Sequence, residues 1–115
     1  PTDAIYEPQN IDGAKCISHW NIEHDGVISC LFQEKIGNWI FGCDICQEVC
    51  PWNRKALLGH WPEFQPNDNW MSLTPLEWTH IREEEYEEYF NGTAVRRVKY
   101  KDFLRNATIV LKNHQ

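Results

Sequence analysis

Apolar positions along this chain recur mostly at helical spacing, with turn residues between them. The last stretch is the clearest: over residues 101–112, Phe103, Ala107, Val110 and Leu111 fall on one stripe. Upstream, Thr74-Pro75 supplies an N-cap followed by Pro at the first helical position, with Glu77 three residues after the cap. Residues 82–90 read as an acidic surface helix closed by Asn91-Gly92. Nearer the start, Asp12 is placed to cap a helix over residues 14–23, in which Cys16 and Trp20 share a face at i, i+4. Asp25-Gly26 reads as a turn, and residues 31–36 as a short helix stopped at Gly37-Asn38. A loop rich in Pro, Asn and Trp is expected over residues 59–69. No internal repeat or low-complexity tract is visible before the helices at the C-terminal end.

Composition narrows this picture. With 115 residues the chain can bury one modest core. No apolar run approaches the ~18 residues of a membrane span. Five cysteines, three of them within eight residues, fit a disulfide framework poorly and favour a reducing, cytoplasmic setting. The formal charge of −6 argues against an indiscriminate nucleic-acid binder. That charge is uneven: residues 83–88 are strongly acidic and residues 96–101 strongly basic.

Chemistry concentrates in Cys43-Asp-Ile-Cys46-Gln-Glu-Val-Cys50-Pro51, a C-x2-C-x3-C-P run. It is the later part of the bacterial ferredoxin pattern C-x2-C-x2-C-x3-C-P that wraps iron–sulfur clusters. Two thiolates spaced in this way reach iron atoms of one cluster, while the cysteine that follows after three intervening residues serves the other cluster of a pair. Pro51 fixes φ and removes an amide. A zinc knuckle also begins with C-x2-C, but gives no reason for the third cysteine and its proline. The chain opens Pro1-Thr2-Asp3-Ala4-Ile5, a sequence that commonly trails the last cysteine of such a run, so a cysteine and an earlier run are expected before Pro1. If the cluster at Cys43 and Cys46 needs four ligands, Cys16, on its helix face upstream, is the candidate third; the crossed-ligand rule offers the cysteine before Pro1 as the fourth and leaves Cys50 for the second cluster. Cys30 has no spacing partner and is expected in the core. Trp39, Phe41 and Trp52 flank the cysteines and read first as core packing.

Other constellations are weaker. His19, His24, His60, His80 and His114 lack paired ligand spacing and read as solvated or satisfied side chains. The carboxylates of residues 83–88 read as a charged helix face. Arg96, Arg97, Lys99, Lys101 and Arg105 form the one basic concentration, suited either to nucleic-acid phosphates or to balancing the acidic helix.

Three segments together resemble a known family: Gly13-Ala-Lys-Cys16-Ile-Ser-His-Trp-Asn-Ile-Glu-His24, then Ile36-Gly-Asn-Trp-Ile-Phe-Gly-Cys43 through Arg54, and Phe90-Asn-Gly-Thr-Ala-Val-Arg-Arg97 with Leu104-Arg-Asn106 and Asn113. They look like epoxyqueuosine reductase, and the resemblance covers nearly the whole chain. It implies two 4Fe–4S clusters and a cobalamin, and reduction of epoxyqueuosine to queuosine at the wobble position of tRNA. It implies that Cys16, Cys43 and Cys46 bind one cluster and Cys50 the other, with Ser18, Cys43 and Asp44 beside the corrin. It also implies an external electron donor, a catalytic acid in an N-terminal domain outside this chain, and no activity from these residues alone. The fold expected is mainly α: a ferredoxin-like double-cluster segment with cysteine-bearing loops over residues 1–58, then C-terminal helices over residues 59–115 that start a HEAT-like region.

In that reading the protein supplies wiring and positioning, and electrons reach cobalamin through the clusters. Two alternatives stand beside it. One is an electron-transfer module of another cobalamin enzyme, such as a reductive dehalogenase; the other is a zinc-binding interaction domain.

Overall fold

The computed structural model describes residues 1–65 and 68–115. It is mostly helical, with one small antiparallel hairpin of β1 (Ile5–Glu7) and β2 (Asn10–Ile11). The hairpin turns at Pro8-Gln9, where Gln9 takes a positive φ of 66°. Among the described residues six α-helices follow: α1 (Cys30–Ile36), α2 (Ile45–Glu48), α3 (Asp68–Met71), α4 (Pro75–Trp78), α5 (Glu83–Phe90) and α6 (Tyr100–Asn113). No described helix is long and apolar enough to cross a membrane.

The C-terminal helices form where the residues dictate. Thr74 and Glu77 make the reciprocal capping box, the Thr74 N–H donating to the Glu77 carboxylate at 2.7 Å. At α5 the Arg82 N–H donates to Glu85 at 2.8 Å, and three glutamates occupy the first turn, where the helix dipole favours them. Gly92, at φ +74°, follows this helix where only glycine turns freely. Helix α6 buries Phe103, Ala107 and Val110 of the expected stripe and leaves Leu111 half-buried.

Two cores share α6. Trp78, Ile81, Tyr86, Phe90, Val98, Phe103 and Ala107 form an aromatic-rich core. Within it the Trp78 and Phe90 rings stack at 5.8 Å, and Phe103 meets Phe90 at 5.4 Å. Tyr86 keeps its hydroxyl satisfied inside by donating to the carbonyls of Val95 and Val98 at 3.0 and 2.6 Å. Ile17, Ile28, Ile36 and Ile109 form the second, smaller core, against which Trp39, Cys43 and Ile45 pack.

Several expectations are corrected. Asp12 caps only the single 3-10 turn Gly13–Lys15, its carboxylate accepting from the Ala14 N–H at 3.0 Å. Cys16 then adopts an extended conformation, φ −79° and ψ 124°, so no helix runs unbroken through residues 14–23. The wide π-turn His19–Glu23 completes that stretch. The expected loop over residues 59–69 holds a 3-10 turn at Pro62–Phe64 and the start of α3; positions 66 and 67 lie outside the described residues. Cys30 is exposed at the start of α1 rather than in the core. Of this helix Ile36 is the residue that is buried, while Cys30, at its first position, stays on the surface.

Candidate iron–sulfur site

The site begins with a loop held from both ends. Asn21 and Asn106 are fully buried amides, at 0% exposure. The Asn21 amide donates to the carbonyls of Trp39 and Gly42 at 3.1 and 2.7 Å, and its oxygen accepts the Gly42 N–H at 3.0 Å. Asn106 donates to the carbonyls of Asn21 and Ile40 at 2.7 and 3.0 Å. At the far end of α6, Asn113 donates to the carbonyls of Gln33 and Gly37 at 2.9 and 3.1 Å. A buried carbonyl without a donor is costly, so these amides fix the backbone that leads into Cys43. Gly42, at φ +68°, makes the last bend before it.

Beyond this bend, Cys16, Cys43 and Cys46 line one cavity of 290 Å³. Its other walls include Ile5, Ile11, Ile17, Ile45 and Val49, together with Pro1, Thr2 and Ser18. The hairpin and the break at Cys16 thus have a common effect, bringing the early chain against the cysteine run. Burial pushes the Cys43 thiol up; the neighbouring Cys46 and Cys16 push the same way, against the Ile45 backbone hydrogen bond. A negative thiolate there is costly until a metal compensates it. Among the described residues, no three His, Cys, Asp or Glu side chains converge on a single ion. Three thiols spread around an apolar cavity suit a multi-iron group better than one tetrahedral zinc.

Cys50 is set apart from that cavity. It precedes the 3-10 turn Pro51–Lys55 and is half-buried. Asp44, exposed, leads into α2 directly beside Cys43. Trp39 and Phe41 pack against the two cores, but Trp52 is 91% exposed, which corrects its expected place in the core.

The basic residues lie elsewhere, along α6 and the turn before it. Arg96 pairs with Glu87 at 2.8 Å, the one partner on the acidic helix α5. Arg97 pairs with Glu23 at 2.7 Å, and Lys99 and Lys101 both reach Asp25 at 2.6 Å. The Arg105 guanidinium, 15% exposed, donates to the carbonyls of Trp20, His24 and Gly26 and to Asp102. Arg105 therefore ties α6 to the turn at residues 24–26. Sequence reasoning missed Asn21, Asn106 and this role of Arg105. Asn106 next to Arg105 on an amphipathic helix was a readable sign of a polar seam, but its partners are backbone carbonyls more than 60 positions away.

Three thiols around one cavity and a fourth set apart match the ligand pattern of an iron–sulfur module of the two-cluster kind. Residues 1–53 match the family described as 4Fe-4S double cluster binding domain. The epoxyqueuosine reductase of Cellulophaga algicola is 43% identical over 106 residues, covering 92% of this chain and 35% of that protein. That of Leadbetterella byssophila is 44% identical over 110 residues, covering 96% of this chain and 35% of its own. A solved structure of epoxyqueuosine reductase with an epoxyqueuosine-modified tRNA stem loop superimposes with a TM-score of 0.87 at 31% identity, covering 98% of this chain and 30% of that one. Over nearly its whole length the chain is similar to epoxyqueuosine reductases, and it spans about a third of the length of the curated relatives it matches.

Proposed function

We propose that this chain is the cluster-bearing region of a reductase that converts epoxyqueuosine to queuosine in tRNA. The observation that carries the reading is the gathering of Cys16, Cys43 and Cys46 at one cavity, with Cys50 held apart. The first three bind one 4Fe–4S cluster and Cys50 the other. A cysteine preceding Pro1 supplies the fourth ligand of the first cluster, and the presence of Pro1 and Thr2 in the cavity wall supports that placement. When bound, the clusters pass single electrons, and burial and hydrogen bonds around the sulfurs tune their potentials. Five free thiols suit a reducing, cytoplasmic compartment.

For cobalamin the chain offers one wall rather than a container. Ser18 and Cys43 line the 290 Å³ cavity and Asp44 stands exposed beside Cys43, so these three are the residues that would face a corrin. Cobalamin, when bound, supplies the reducing metal for the epoxide. Catalytic groups outside these residues complete the reaction, and the 115 residues alone are inactive. Residues 1–58 act as the cluster segment and residues 59–115 as the first helices of a HEAT-like region. Packing of α5 against α6 through Tyr86, Phe90 and Phe103 supports that last point.

Arg96, Arg97, Lys99 and Lys101 are exposed and face tRNA phosphates. Their carboxylate partners are surface ion pairs, which contribute little and exchange readily for phosphate. Arg105, spent on three carbonyls, contributes by holding α6 in place.

The test uses the full-length reductase carrying this region, prepared without oxygen and given cobalamin, an external electron donor and epoxyqueuosine-containing tRNA. Mass spectrometry should show loss of one oxygen from the modified nucleoside, and a Cys46→Ala variant should abolish it. No conversion by protein holding its full iron, sulfide and cobalamin would overturn the reading.

A further inference from the structure

After Cys50 the chain presents a strap of large apolar side chains that stand exposed among the described residues. Trp52, Leu57, Leu58, Trp61 and Phe64 are each 69–95% exposed. The strap's hydrogen bonds are local, such as Asn53 to Gln47 at 2.9 Å and Gln65 to the Trp61 carbonyl at 3.3 Å. Scattered exposed apolar residues need no explanation, but five within thirteen positions are a concentration of the kind found at interaction surfaces. Between Glu48 and Glu63 the charged side chains are Arg54 and Lys55, so the patch is apolar with a basic rim.

Cluster chemistry names the occupant. A 4Fe–4S cluster takes four thiolates, and a double-cluster domain therefore needs more than the five cysteines of this chain. Cys50 lies outside the cavity shared by Cys16, Cys43 and Cys46, so its cluster draws its other thiolates from polypeptide outside these residues. That polypeptide must approach Cys50, and the exposed strap begins two residues later, at Trp52. The chain spans 35% of its first relatives, which leaves ample polypeptide to cover it.

We propose that the strap from Trp52 to Phe64 is a docking surface for the part of the reductase polypeptide that completes the Cys50 cluster. The face that covers it is apolar, with carboxylates opposite Arg54 and Lys55. Closure over the strap excludes water from the second cluster and fixes its position relative to the first. This rests on the reading of the chain as the cluster region of a longer reductase.

A photoreactive phenylalanine analogue placed at Trp61, and separately at Phe64, tests it in the full-length reductase with both clusters loaded and no tRNA present. An aromatic replacement at an exposed position leaves the fold intact. Irradiation should give crosslinks within one polypeptide, to segments outside residues 1–115, with the same probe at exposed Val27 giving none to those segments. Crosslinks between two copies would overturn the proposal, as would crosslinks that form only when tRNA is added and run to RNA. An absence of crosslinks at both positions would also overturn it. Epoxyqueuosine conversion is measured on the same samples, so failure of the docking proposal and failure of the reductase reading give different results.

Discussion

The aromatic core around α5 and α6 and the cysteine segment from Cys43 to Phe64 are stabilised in opposite ways. The first closes on itself: Tyr86, Phe90, Phe103 and Ala107 are buried, and the Tyr86 hydroxyl has two internal acceptors. The second offers three thiols to a cavity, a fourth outside it, and a run of exposed apolar side chains. Asn21, Asn106 and Arg105 join the two, so the self-sufficient region holds the dependent one in register. A rigid helix thereby positions a loop whose own short turns would not keep their shape.

The largest effect should come from opening the self-sufficient core. Phe90→Ala is expected to cost about 3–5 kcal/mol, the range for deleting a buried phenylalanine. Denaturant unfolding measures it, and a cost below about 1 kcal/mol would mean that this core is not what carries the fold. A smaller loss should follow Asn106→Ala, which strands the carbonyls of Asn21 and Ile40. A buried group left unpaired costs about 1–3 kcal/mol, and water entering the space left by the amide can satisfy part of the demand, so the net loss is expected at about 1–3 kcal/mol in all. Hydrogen exchange should quicken at residues 39–43 while α5 stays protected; equal loosening of both would erase the distinction between the regions.

Smallest, and tied to pH, is the surface clamp at Asp25. Hydrogen bonds from Lys101 and Lys99 bring its carboxyl down to about 2 from an ordinary 3.8. A depressed folded value means the clamp stabilises above the unfolded pKa and is lost as pH falls through the folded one. Between pH 3.8 and about 2 the protein should therefore lose this contribution. Asp25→Asn should flatten the slope of stability in that window, and high salt should shrink the difference. An unchanged slope would show that the clamp does not hold in solution.

The legible parts of the sequence were those governed by local rules. Thr74-Pro75 with Glu77, the Asn91-Gly92 stop and the stripe on α6 each encode their structure within one or two turns. The cysteine run likewise carries its chemistry in its spacing. Less legible were features set by distant contacts. The helix expected through residues 14–23 breaks at Cys16 because that residue faces a cavity built with residues 43 and 46. Trp52 looks like core by type and is 91% exposed, a place that its residue type does not announce. The hairpin at residues 5–11 has little alternation to announce it, and its Pro8-Gln9 turn uses no glycine. The basic cluster was visible, but its split into exposed pairs and a buried tie through Arg105 depends on carbonyls some 80 positions earlier.

The division of thiols between two clusters is the claim on which the rest depends. Iron and sulfide content, with electron paramagnetic resonance of the reduced protein, would be measured for the full-length reductase and for its Cys46→Ala and Cys50→Ala variants. Each variant should lose or degrade one cluster signal, and the two signals lost should differ. Loss of the same signal from both, or colourless protein carrying zinc with no sulfide, would contradict the account.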